Sequence, residues 1–177
     1  NTGGAAYATA IRNDDVALKL THVTAIATGA TVDNTAIHNH DGVVELLNVS
    51  AEASTGHTAR GIFTEGSSLF LTNVRVSATD ATTNTGIHTD TATAVYTNAE
   101  IAATGGTTNY GMYTTGTALP FIRGGAIFSA LGTHNYGIYA TNGARLRLQG
   151  TSVSVIGGHS AYAVSYTHLR AHETSEN

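Results

Sequence analysis

An apolar residue that follows a small one returns along this chain at nearly constant spacing. The pairs are Ala10-Ile11, Ala36-Ile37, Gly61-Ile62, Gly86-Ile87, Gly111-Met112, Gly137-Ile138 and Ala163-Val164, at intervals of 26, 25, 25, 25, 26 and 26 residues. Such a period is the signature of stacked repeating units. Inside each unit the apolar residues alternate with polar ones. Leu18/Leu20, Val44/Leu46, Leu69/Leu71, Ala94/Tyr96 and Leu119/Phe121 hold the seventh and ninth places after the marker. Leu146/Leu148 come one place late, with Asn142 read as the inserted residue. A further pair follows at Val23/Ala25, Val49/Ala51, Val74/Val76 and Ala99/Ile101. Alternation is the period of a half-buried strand rather than of a helix.

Each unit therefore predicts three short strands joined by turns, with equivalent strands of successive units ~4.8 Å apart. The fold class is all-β: a single-stranded right-handed parallel β-helix of about six coils of 25–26 residues. Turn chemistry agrees. Asp14-Asp15, Asp41-Gly42, Glu65-Gly66, Thr115-Gly116 and Asn142-Gly143 separate the first and second strands, and these are residues that accept tight turns. Two asparagine columns are expected to stack amide on amide: Asn48, Asn73 and Asn98 at one turn, and Asn34, Asn84, Asn109 and Asn135 at another, the second interrupted by Ala59 and Ala161. One coil alone loses roughly 1–2 kcal/mol of backbone entropy per residue. Its five or six inward side chains return only about 1.5–3 kcal/mol each. Stability must therefore come from stacking, and it is shared between neighbours.

Composition narrows the function. Charged residues are 11% of the 177, with a formal net charge of −4. A chain without a basic stripe is not built to neutralise phosphates, so no nucleic-acid partner is expected. The sequence has no cysteine, which removes disulfides and thiolate chemistry. No apolar run is long enough for a membrane-spanning helix, so no membrane insertion by this segment is expected. Style and register break near Ser165: residues 1–164 are expected to form a β-helix fragment uncapped at both ends. Residues 165–177, whose Ser165-Tyr166-Thr167-His168-Leu169-Arg170 run resembles translated sequencing-adaptor read-through, are expected to be a non-native or disordered tail.

The run Asn135-Tyr136-Gly137-Ile138-Tyr139-Ala140-Thr141-Asn142-Gly143, repeated at Asn109-Tyr110-Gly111-Met112-Tyr113, resembles the repeat of autotransporter passenger domains. The resemblance is one of pattern and extends to Val164. It implies a Gram-negative surface or secreted rod, a pectate-lyase-like fold and a role as a non-catalytic adhesin or display stalk. The implied partners are glycans or proteins of a host or neighbouring cell, or further copies of the rod. Polysaccharide-degrading enzymes share that fold, so a lyase or glycosidase is the alternative, and a purely structural spacer a third.

Candidate chemistry follows from the columns. The residue after each marker is expected to face outward, giving Arg12, His38, Phe63, His88, Tyr113 and Tyr139, a row of rings suited to stacking on sugars or on a partner. Tyr110, Tyr136 and Tyr162, two places before the marker, are expected in the core or at its corner. Acids near the first turn (Asp14, Asp41, Glu65, Asp90) lack a basic residue gathered beside them, so no catalytic residue, metal ligand set or cofactor is expected. Thr64, Thr89 and Thr114 also form a row of the kind that binds ice, broken by Asn13, Asn39 and Ala140.

Overall fold

A computed structural model describes residues 4–166. These residues form nineteen strands and no helix. The first sheet stacks β1 (Tyr7–Asp14), β4 (Asp33–His40), β7 (Thr58–Glu65), β10 (Thr83–Asp90), β13 (Thr108–Thr115), β16 (His134–Ala140) and β19 (Ser160–Tyr166). The second contains β2 (Ala17–Thr21), β5 (Val43–Leu47), β8 (Ser68–Thr72), β11 (Thr93–Thr97), β14 (Leu119–Arg123) and β17 (Arg147–Gln149). The third contains β3 (Thr24–Thr28), β6 (Ser50–Ser54), β9 (Arg75–Thr79), β12 (Glu100–Thr104), β15 (Ala126–Ala130) and β18 (Ser152–Ile156). Every pairing is parallel and joins one coil to the next, so the chain is a β-solenoid of about six turns with three strands per coil. Sequence placed the tail boundary at residue 165. β19 continues through Tyr166, and the rest of that segment lies outside the described residues.

The marker column is the spine of the core. Ile11, Ile37, Ile62, Ile87, Met112, Ile138 and Val164 are register partners, and those from Ile37 to Ile138 are fully buried. The small residue before each marker faces the third sheet, and its size complements what it meets. Ala10 and Ala36 belong to the coils whose third strands carry Ala25 and Ala51, whereas glycine stands where that column holds Val76, Ile101, Ile127 and Val153. A Cβ on Gly86 would lie 2.5 Å from Ile101 Cγ2 and 2.5 Å from the Gly111 carbonyl, closer than packed atoms approach.

One expected pair is reversed. Asp90 pairs with Thr115, 25 residues on, but Thr93 pairs with Leu119, 26 on, so the extra residue lies in the turn before Leu119. Pro120 and Ile122 therefore face inward, while Leu119 is half exposed and Phe121 lies on the surface between the Arg123 and Arg147 guanidinium groups, at 4.6 and 4.7 Å. A one-residue slip exchanges the faces of a strand. Leu148 pairs with Ile122 under the same shift, which thus begins one coil earlier than Asn142.

The threonine row is also inside. Asn13, Asn39, Thr64, Thr89 and Thr114 are all buried, so they cannot meet an ice lattice. Asn13 Nδ2 donates to Asn39 Oδ1 at 2.7 Å, Asn39 Nδ2 donates to Thr64 Oγ1 at 3.2 Å and to Ser67 Oγ at 2.8 Å, and Thr89 Oγ1 shares a hydrogen bond with the Tyr96 hydroxyl at 2.8 Å. Tyr96 is fully buried among leucine and isoleucine register neighbours, and burial pushes its hydroxyl pKa up. Tyr96→Phe removes that bond at little change in volume. It is expected to lower unfolding stability by about 1–2 kcal/mol in urea titrations, leaving the circular dichroism unaltered.

The asparagine columns run where the periodicity places them. Asn48, Asn73 and Asn98 each hold the left-handed backbone, at φ 53, 53 and 52°, at the exposed second turn. Their amides link upward at 3.4 Å, and Asn48 reaches His22 at 3.2 Å. The other column is fully buried at the third turn. Asn84 donates to Asn109 and Asn109 to Asn135, both at 2.9 Å, and Asn34 reaches the Thr55 carbonyl at 3.0 Å.

Candidate functional site: the aromatic face of the first sheet

The first sheet turns its outer face to solvent along the length of the rod. Arg12, His38, Phe63, His88, Tyr113 and Tyr139 are successive register partners there. Their rings form a continuous ladder: His38 on Phe63 at 4.8 Å, Phe63 on His88 at 4.7 Å, His88 on Tyr113 edge-on at 4.7 Å, and Tyr113 on Tyr139 stacked at 5.5 Å. These are ordinary distances for favourable aromatic pairs.

A second row lies beside it. Tyr110, Tyr136 and Tyr162 are not in the core: they project from the same face, stacked at 5.1 and 5.5 Å, and Tyr162 is half exposed. Cross-contacts of 5.2–5.5 Å tie the two rows together. The reason is the bend at the small residue of the marker pair. Strict alternation puts the side chain two places before the marker on the marker's own side, but Gly111 and Met112 are both buried while Tyr110 and Tyr113 both face out. The sequence did carry a signal, because Arg60 occupies the same column as Tyr110.

The rows do not fill the face evenly. Thr85 stands in the second column between Arg60 and Tyr110 and leaves a notch of about 230 Å³, lined by Thr58, Arg60, Thr83, Thr85, His88, Tyr110 and Tyr113. Arg60 pairs with Asp33 and lies 5.2 Å from the Phe63 ring centre. His88 Nε2 is buried without a hydrogen-bond partner among the described residues. Burial, reinforced by Arg60 and opposed by Asp90, brings the His88 pKa down to about 4. The Tyr110 hydroxyl is pushed up to about 12 by burial and its tyrosine neighbours, and burial raises Tyr113 as well. His88, Tyr110 and Tyr113 are therefore uncharged at physiological pH.

His88 makes stability depend on pH. Its folded pKa is depressed, so the unfolded chain takes up a proton that the folded one refuses. The stabilisation is whole above about pH 6.5 and is lost as pH falls from there towards 4, by up to roughly 3 kcal/mol. His88→Phe, matching Phe63 below it, is expected to flatten this part of the profile in denaturant titrations at pH 7, 5.5 and 4.

The acids stand at the edge of this face. Asp14 is hydrogen-bonded by Arg12 at 2.7 Å, and that bond holds its pKa down. Glu65 is 3.2 Å from His38 Nε2, and Asp90 accepts from Thr91 at 2.9 Å. A shallow depression of about 730 Å³ lies over the third turns and is lined by Gly105, Gly106, Gly132, Gly158, three threonines and few other side chains. It brings no set of functional groups together. His57, His134 and His159 belong to those turns or the strand starts beside them.

No family model matches this chain, and no curated protein or solved structure is significantly similar to it.

Proposed function

We infer that this chain is a non-catalytic segment of a surface-displayed or secreted rod, and that it acts in adhesion through its aromatic face. The observation that carries the reading is the double tyrosine ladder. Five rings (Tyr110, Tyr113, Tyr136, Tyr139 and Tyr162) stack on one side of three adjacent coils at 5.1–5.5 Å along each row. A rigid, neutral, regularly spaced aromatic strip offers the apolar faces of successive pyranose rings a surface on which to lie. Tyrosine also keeps a hydroxyl for the sugar's own hydroxyls while losing little side-chain entropy. The autotransporter-like repeat, the bacterial surface location and the absence of cysteine from a rod that is exported unfolded are consistent parts of the same proposal.

Two variants test it. Tyr113→Ala with Tyr139→Ala, and Tyr110→Ala with Tyr136→Ala, are each expected to weaken retention on immobilised bacterial or host polysaccharides at least tenfold. Far-ultraviolet circular dichroism should stay the same. Undiminished retention by both double variants would remove the face from the account. Release of unsaturated product from acidic polysaccharides, with or without Ca2+, would favour the enzyme reading instead.

A further inference from the structure

The turn between the first and second sheets gathers groups that the aromatic face does not use. Asp15 and Asp41 occupy the same left-handed turn position in successive coils, at φ 57 and 53°, so one carboxylate stands above the other. The next residue of that column is Gly66, at φ 63°, and a Cβ there would collide with Asp41 Oδ1; its absence leaves the Asp41 carboxylate room to lean over the turn. His40, at the end of β4, pairs in register with Asp14 on one side and Glu65 on the other. The ligand atoms of Asp15, His40 and Asp41 all lie within 4.8 Å of one another. His40 Nε2 is 3.5 Å from Asp41 Oδ2 and 4.0 Å from Glu65 Oε1.

We propose that Asp15, His40 and Asp41 form a Zn2+ site that clamps the first two coils of the rod together. Donors held about 2.0–2.2 Å from a tetrahedral zinc ion lie roughly 3.3–3.6 Å from each other, so small rotations of exposed side chains bring the three donors onto one ion, with water as the fourth ligand. The Asp15 and Asp41 carboxylates, one above the other, repel each other, and a divalent cation between them offsets that repulsion. Arg12 does not fill this role because Asp14 holds it at 2.7 Å. Glu65 stands outside the sphere, its Oε1 3.2 Å from His38 Nε2 and 4.0 Å from His40 Nε2. The imidazole decides the metal class: an all-oxygen set suits Ca2+ or Mg2+, whereas a histidine nitrogen with carboxylates suits Zn2+. The site lies apart from the tyrosine rows, so it stands or fails independently of the adhesion reading.

The test is calorimetric titration of the chelator-stripped full chain with ZnCl2, and with CaCl2 in parallel. Thermal unfolding and the imidazole proton signals are followed at the same time. Zn2+ is expected to raise the unfolding midpoint in a concentration-dependent way that EDTA reverses, and to shift the His40 ring signals. His40→Ala and Asp41→Asn should each weaken that binding at least tenfold with unchanged circular dichroism, while His57→Ala and His159→Ala leave it as it was. Asp41→Asn preserves shape, so it reads the ligand role even if His40→Ala disturbs the turn. Zn2+ binding that is indifferent to both His40→Ala and Asp41→Asn would overturn the proposal. So would no binding, or Ca2+ binding as tight as Zn2+ and insensitive to His40→Ala.

Discussion

Asn109→Leu is expected to cost about 3–5 kcal/mol of unfolding stability, a large fraction of what a domain of this size has. Asn109 is fully buried and uses all four of its side-chain hydrogen-bonding positions. Its Oδ1 accepts from Asn84 Nδ2 at 2.9 Å and from the Gly106 amide at 3.2 Å, while its Nδ2 donates to the Ala130 carbonyl at 2.8 Å and to Asn135 Oδ1 at 2.9 Å. Leucine has the same branched shape with bulkier methyl groups, so the loss combines that of polar pairing with some overpacking. Asn84 keeps its bonds to Ala81 and Thr104, and Asn135 Oδ1 keeps the Gly132 amide. The Gly106 amide loses its side-chain acceptor, and Ala130 is left with one long bond from Gly105 at 3.4 Å. Urea titration gives the loss directly. Asn98→Gly, in the exposed column with its 3.4 Å contacts, should cost under about 1 kcal/mol, because water replaces those amides and glycine accepts the left-handed backbone as Gly124 does at φ 62° one coil on. Equal losses at Asn98 and Asn109 would mean that burial of the ladder is not what makes it matter.

Much of this architecture is legible in the chain because one physical requirement is repeated in every coil. A solenoid must present the same kind of side chain to the axis at the same place, so Ile37, Ile62 and Ile87 announce the period and Val44/Leu46 or Leu69/Leu71 announce the alternation. What was misread depends on single residues that alter phase. The extra residue before Leu119 is silent in a strand where both phases are apolar: Leu119/Phe121 and Pro120/Ile122 satisfy alternation equally well. The bend at Gly111 moves Tyr110 to the outside without any change in composition. Thr64, Thr89 and Thr114 looked like a surface row because threonine is usually exposed, whereas here each points into the tube. The grouping of His40 with Asp15 and Asp41 was invisible for another reason: His40 is the only histidine of its column, flanked by Asp14 and Glu65, and no repeat draws attention to it.

The glycines of the marker pairs make the sharpest test of how the tube closes. Gly86→Val is expected to cost about 4 kcal/mol or more, at the upper end of what overpacking does. Gly86 has no left-handed backbone, so a side chain there is opposed by space alone. The 2.5 Å approaches to Ile101 Cγ2 and to the Gly111 carbonyl would force apart the first and third sheets of one coil and the contact with the next. Gly86→Ala should cost less, about 2–3 kcal/mol. Its partner substitution, Ile101→Ala, opens a cavity and should cost about 2–5 kcal/mol by itself. Together they recreate the Ala36 and Ala51 pairing of the second coil, where both residues are fully buried without strain of this kind. The double variant is therefore expected to lose at least about 1 kcal/mol less than the sum of the single losses. Strict additivity in that cycle would show that the exchange of sizes across the coil is incidental. The constraint on Gly86 would then come from the carbonyl of the neighbouring coil, and Gly86→Ala would be equally damaging whatever residue stands at position 101.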